Sequence, residues 1–173
     1  CDDIAVAGVL HDIGKLRVNR YVYSDESDDT LVVEQMKYVR MHSAYSRDIL
    51  RDENYPENII EAVYHHHENY DGSGYPDGLK GTDIPEMSRI LRTCDVFSAL
   101  ITNRSYRKAF DKRTAMAIMI DEVEDYDMEV FLAFQRVFHD DKFPEIRNLQ
   151  DMASEIQMEN LKVFEEEALK GNY

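Results

Sequence analysis

Five of the six histidines in this chain fall in an ordered series with two aspartates: His11-Asp12, His42, His65-His66-His67 and Asp95. Imidazole and carboxylate are the two ligand types that borderline divalent ions such as iron, manganese and zinc accept together. A set this large, gathered from 85 residues of chain, is enough to hold two ions. Two-metal centres mostly perform hydrolysis, often of phosphate esters, because the ions acidify a shared water and grip the phosphate. Successive residues of a helix point about 100° apart. His66 and His67 would therefore struggle to reach one ion but can each serve one of a pair. His11-Asp12 works in the same way, with the carboxylate free to bridge through its two oxygens.

The elements that must position these groups are helical. Apolar residues recur at three- and four-residue spacing along most of the chain, and strand-like alternation is nearly absent. The pattern predicts helices at about 3–14, 33–52, 56–68, 85–102, 112–123, 128–138 and 145–170. Pro56 and Pro85 sit where a first helical turn would start. Asp25 to Thr30 reads as an acidic surface loop. Residues 69–83 hold four of the seven glycines (Gly72, Gly74, Gly78 and Gly81) together with Pro76, which predicts a long shaped loop. Loops of that length inside a compact domain are usually functional. The last thirty residues carry a broken apolar stripe (Leu149, Met152, Ile156, Leu161, Phe164, Leu169) among glutamates, read as a helix that packs back on the domain.

Composition narrows the class. At 173 residues, with 43% apolar and 32% charged residues, the chain is long enough to bury a core without staples. No apolar run approaches a membrane span and no signal-peptide pattern is present. Cys1 and Cys94 make no disulfide framework, so a reducing, cytoplasmic setting is expected. The chain opens on Cys with helix-like sequence directly after it, so a cropped part of a longer protein is expected. A net charge of -15 argues against polymeric nucleic acid. Residues 89–113 run the other way, with seven basic groups against two acids. A local balance of +5 beside candidate metal ligands points to a small anionic substrate.

The residues also carry a resemblance to a known family. His11-Asp12-Ile13-Gly14-Lys15 resembles the HD motif of the HD phosphohydrolase superfamily. His66-His67-Glu68 followed by Asp71-Gly72-Ser73-Gly74-Tyr75-Pro76 is similar to the signature of its HD-GYP branch. Ile84-Pro85, Arg89-Ile90, Asp95 and Asn103-Arg104-Ser105-Tyr106-Arg107-Lys108-Ala109 continue the pattern, which runs from about residue 4 to residue 134. The resemblance implies an all-α, HD-domain helical bundle. The HD-GYP domain would occupy 1–138, with its N-terminal helices missing, and a helical extension would occupy 139–173.

By the same resemblance the activity would be a metal-dependent phosphodiesterase of bacterial signalling. It would open cyclic di-GMP or a related cyclic dinucleotide to linear pGpG and/or GMP. The cofactors implied are two divalent ions, iron or manganese, held by His11, Asp12, His42, His66, His67 and Asp95, with Asp12 as the bridge. The family's three-metal members draw a glutamate from a helix upstream of the HD motif, to which no residue of this chain corresponds. Lys15 and Asp12 would form the catalytic pair, the lysine steadying phosphate charge or the leaving group. Arg104 and Arg107 would hold substrate phosphates, and Gly74 and Tyr75 would form a lip on which a base stacks. The Gly-Tyr-Pro loop could also meet a regulatory or diguanylate cyclase domain. His65 precedes the pair and is assigned to another face. Cys94 and His139 are assigned no metal role.

This chain departs from the family pattern at one telling position. Asp95-Val96-Phe97-Ser98-Ala99-Leu100 has serine where the family carries an acidic residue. Serine has no charge to offer as a base or an anionic partner. Two alternatives follow: a catalytically weakened module acting as a cyclic-dinucleotide receptor or protein-interaction domain, and an HD hydrolase of another phosphoester.

Overall fold

A computed structural model of the chain describes residues 2–22, 39–103 and 107–140. Seven α-helices are found among these residues: α1 (Asp2–Leu10), α2 (Lys15–Val22), α3 (His42–Asp52), α4 (Glu57–Tyr64), α5 (Glu86–Ile101), α6 (Lys112–Asp121) and α7 (Met128–His139). Two short 3-10 turns, Gly81–Asp83 and Val123–Asp125, complete the order. The described residues contain no β-strand, so the expected all-α class holds. None of their helices is long and apolar enough to cross a membrane. The expected acidic loop at 25–30, the start of the helix at 33–52 and the helix at 145–170 lie outside the described residues, as does Arg104.

Two helices end earlier than the periodicity predicts, and both breaks fall at candidate ligands. The helix expected over 3–14 stops at Leu10. The chain then bends through successive three-residue turns, with Ile13 N–H donating to Leu10 O at 3.1 Å and Lys15 N–H to Asp12 O at 2.9 Å. Gly14 is obligatory in this bend: a Cβ would lie 2.1 Å from His42 O and 2.5 Å from Ser46 N. The helix expected over 56–68 ends at Tyr64, and His65 to His67 form a turn beyond it. The helical 100° argument for adjacent ligands is therefore corrected. Both pairs stand in turns at helix ends, where side chains can answer backbone carbonyls that the helix no longer pairs.

The described residues divide into two compact units, one within Cys1–Cys94 and Glu122–Phe131 and the other within Asp95–Asp121 and Leu132–Tyr173. In the first, Ala7, Leu50, Ile59, Ile60, Ala62, Val63 and Leu91 form the core, with Ile4, Val6, Leu10 and Met87 packed against it. The core thus joins α1, α3, α4 and the start of α5, which seats the ends of α1 and α4 close to the start of α3. Ser88, fully buried, donates to Glu61 O at 3.2 Å. Asp127 begins α7, its Oδ1 accepting Glu129 N–H at 2.8 Å while Oδ2 takes the Arg89 guanidinium. In the second unit Phe97 packs edge-on against Phe134 and Phe138, at 5.2 and 5.4 Å between centroids. Asp111 caps α6, accepting from Arg113 N–H at 3.0 Å and Thr114 N–H at 3.1 Å.

Candidate metal centre

Three histidines of the first unit share one device. The Nδ1 of His11 bonds Gly8 O at 2.7 Å, that of His42 bonds Val39 O at 2.5 Å, and that of His66 bonds Val63 O at 2.5 Å. Each ring thus reaches the carbonyl three residues behind it. For His11 and His66 these carbonyls lie near the ends of α1 and α4. A carbonyl only accepts, so the proton sits on Nδ1 and the lone pair on Nε2. A hydrogen bond of this kind sets the tautomer and orientation of metal-binding imidazoles.

The Nε2 atoms converge. His42 Nε2 lies 3.3 Å from His66 Nε2 and 3.1 Å from His67 Nε2. Asp12 Oδ1 stands 3.3 Å from His42 Nε2, and Asp12 Oδ2 stands 3.4 Å from His11 Nε2. Two overlapping ligand groups result, His42 with His66 and His67, and His11 with Asp12 and His66. In each, the donor atoms fall within 4.8 Å of one another. Lone pairs facing at such distances repel unless positive charge lies between them. Among the described residues the buried Asp12 Oδ1 accepts no hydrogen bond. The donor set fits divalent cations.

Electrostatics agree with that fit. Burial tends to raise the Asp12 carboxyl pKa, but the neighbouring His11 imidazole and then the Lys15 ammonium outweigh it. The group is held well below the usual carboxylate range and stays anionic. Lys15 Nζ donates to Asp12 Oδ2 at 2.5 Å, one turn along the bend. Burial pushes His42 down from its ordinary value, against the pull of the Val39 carbonyl and Asp12, and so keeps it neutral. A neutral imidazole is the form that binds metal.

Two residues that the sequence reading passed over hold the site in shape. Ser46, fully buried, accepts Gly14 N–H at 2.8 Å and donates to His11 O at 2.9 Å, locking the HD bend to α3. Its signal was present in the spacing, since Ser46 follows His42 by four residues and shares its face of the helix. Glu68, only 1% exposed, accepts N–H groups from Asp77 (2.7 Å), Gly78 (3.1 Å) and Leu79 (3.1 Å). Its place beside the histidine pair suggested a motif letter but not a loop anchor.

The other expected site residues are placed as follows. Gly74 has no room for a side chain, because a Cβ would fall 2.2 Å from Asn69 N and 2.5 Å from His67 O. The Tyr75 ring stacks on His67, with centroids 4.7 Å apart and planes at 26°. His65 faces away from the cluster, as expected, with Nε2 3.3 Å from Glu61 Oε2 and Nδ1 3.7 Å from Glu68 Oε1. Asp95 is half-buried on α5 and opens the second unit. Arg107 also lies in that unit. Its guanidinium donates to Leu100 O (3.1 Å), Ala99 O (2.9 Å) and Lys108 O (2.8 Å) and covers the Phe110 ring. In the first unit Arg89 pairs with Asp127, and Arg92 donates to Asn69 Oδ1 at 2.9 Å beside Asp125. Three of the seven basic groups therefore answer the protein's own acceptors. Ser98 is exposed on α5.

Comparison with known proteins agrees with this geometry. A family model described as HD domain matches residues 1–130. A 3'3'-cGAMP-specific phosphodiesterase of Vibrio cholerae is 35% identical over 134 residues, which are 77% of this chain and 29% of that protein. A cyclic di-GMP phosphodiesterase of Pseudomonas aeruginosa is 32% identical over 133 residues, 76% of this chain and 32% of the relative. The chain thus spans about a third of the length of these curated relatives. The crystal structure of a cyclic GMP-AMP-specific phosphodiesterase of Vibrio cholerae superposes with a TM-score of 0.59 at 17% identity, covering 85% of this chain and 40% of that one. That likeness establishes the fold. The match over residues 1–130, the HD bend and the His66-His67 turn lead to one conclusion: the chain belongs to the HD domain family, as its HD-GYP signature implied.

Proposed function

We propose that this chain is the hydrolytic core of a metal-dependent phosphodiesterase that opens cyclic di-GMP, or a related cyclic dinucleotide, to linear pGpG and/or GMP. The observation that carries the reading is the convergence of the His42, His66 and His67 Nε2 atoms beside Asp12. The names of the Vibrio and Pseudomonas relatives support the substrate class. A cyclic dinucleotide messenger also suits a protein at work in the cytoplasm.

His11, Asp12, His42, His66 and His67 would hold two divalent ions, iron or manganese, with Asp95 as the sixth ligand. When bound, the ions would supply Lewis acidity, lowering the pKa of water to near neutrality and offsetting phosphate charge. The rest falls to the chain. Asp12, kept anionic, presents its two oxygens to different histidines, which suits a bridging carboxylate. Lys15 is half-exposed, so its ammonium can answer charge that develops on the phosphate or the departing oxygen. Arg104 and Arg107 would hold substrate phosphates. Arg107 would have to leave the Ala99 and Leu100 carbonyls to do so. Gly74 and Tyr75 shape the lip, and the Gly-Tyr-Pro loop is the surface offered to a regulatory or diguanylate cyclase domain.

The test is turnover of cyclic di-GMP and 3'3'-cGAMP by iron- or manganese-loaded protein, with the products separated by chromatography. Metal-dependent release of linear dinucleotide or GMP is expected. Tight binding of the cyclic dinucleotide with no product would overturn the catalytic reading. It would favour the receptor alternative, which rests on Ser98. Ser98→Asp then separates the two, since a large gain in turnover marks a domain weakened at that position.

A further inference from the structure

The loop that carries the Gly-Tyr-Pro sequence is built onto the histidine pair from two sides. Glu68, the residue after His67, is buried, and its carboxylate accepts the N–H groups of Asp77, Gly78 and Leu79. On the near side Tyr75 N–H donates to His67 O at 3.2 Å. Gly74 lies flush against the Glu68 and Asn69 backbone, where no other residue fits. These contacts fix the backbone from which the Tyr75 ring projects. It stacks on the His67 imidazole, 4.7 Å between centroids with planes at 26°. The Arg40 guanidinium carbon stands 5.2 Å from the same ring's centroid, within cation–π range.

His11, His42 and His66 are oriented by carbonyls at the ends of their own helical segments. The His67 ring is packed against a neighbour from a loop. We propose that Tyr75 is a positioning residue for His67: its ring fixes the plane in which His67 Nε2 meets His42 Nε2. The competing role for the ring is that of a platform for a substrate base. The inference rests on the metal reading of the cluster, and it makes the loop and the metal centre one mechanical unit. Groups that orient a metal-binding side chain typically change metal affinity about 10- to 100-fold when removed.

The test compares Tyr75→Leu, which removes the ring, with Tyr75→Phe, which keeps it. Two readouts are used: metal affinity by competition with a chelator, and long-range proton–nitrogen NMR of the imidazoles in metal-free protein. Tyr75→Leu should weaken metal binding about tenfold or more and lower kcat with KM within about twofold. It should also move the His67 signals while leaving those of His11, His42 and His66 in place. Tyr75→Phe should restore both the affinity and the His67 signals. If Tyr75→Leu holds metal within twofold, leaves His67 unmoved and raises KM alone, the ring is a substrate platform and the inference is wrong. Should Tyr75→Leu fail to fold, a nuclear Overhauser contact between the Tyr75 and His67 rings of the natural protein decides, and its absence overturns the inference. Failure of the metal reading looks different, because the natural protein would then take up no metal at all.

Discussion

The peptide between His65 and His66 separates two environments built from the same kinds of residue. On one side His65 stands among carboxylates, with Glu61 at 3.3 Å and Glu68 at 3.7 Å. There the protein answers its own charge, since Glu68 is sealed by three backbone N–H groups. On the other side His66 turns Nδ1 to Val63 O and sends Nε2 toward His42 Nε2 and the other candidate ligand atoms. Residue type does not distinguish the two. The distinction comes from where α4 stops, because the helix end supplies the carbonyl that turns one ring and not its neighbour. A carboxylate sealed by backbone donors contributes stability, whereas a cluster that leaves lone pairs facing each other is shaped for a cation.

The contrast is broken most severely at His66, which belongs to both ligand groups. His66→Ala should abolish stoichiometric metal uptake and cost several kcal/mol of transition-state stabilisation, roughly 10^2- to 10^4-fold in kcat. Steady-state kinetics and elemental analysis of the same sample check this. Glu68→Ala removes the sealed carboxylate and strands three loop N–H groups. We expect a loss of about 3–5 kcal/mol in urea unfolding. Glu68→Gln, which keeps an acceptor, should lose less.

pH sharpens the comparison at the level of about 1 kcal/mol. The folded pKa of His42 lies below its ordinary 6.5, chiefly through burial. The unfolded chain therefore takes up this proton first as the pH falls. Stability that His42 contributes is present above 6.5 and drains away below it, at up to about 1.4 kcal/mol per pH unit. Asp12, also depressed, adds its loss only below the ordinary carboxylate value of 3.8. Urea midpoints of metal-free protein between pH 7.5 and 5.5 should fall, and a His42→Gln variant should flatten the slope. The smallest effect is expected at His65. His65→Gln should leave metal stoichiometry unchanged and affinity within about twofold, measured beside His66→Ala, because its ring faces Glu61.

Much of the site was legible in the chain because its chemistry rests on rare residue types in a fixed order. Histidines that cluster in sequence with Asp12 announced a metal centre, and the helical periodicity announced the class. The exact helix ends were not legible. Apolar spacing continues through His11 and His66, so periodicity carried both helices too far, and only the Gly14 close approach and the Nδ1 bonds reveal the breaks. The roles of Ser46 and Glu68 were hidden because they answer backbone groups 32 and 35 residues away and nine to eleven residues away, contacts that composition does not record. The arginines show a further limit of composition. A run of basic residues reads as a field for an anion, yet Arg89, Arg92 and Arg107 are held by Asp127, by Asn69 and Asp125, and by α5 carbonyls.

The most direct test of the central claim is the metal content of the purified chain after anaerobic loading with iron or manganese and removal of excess ion. The account predicts two equivalents per chain in the natural protein, falling below one in His66→Ala and remaining at two in His65→Gln. A natural protein that retains no metal, or a His66→Ala variant that retains two, would contradict it.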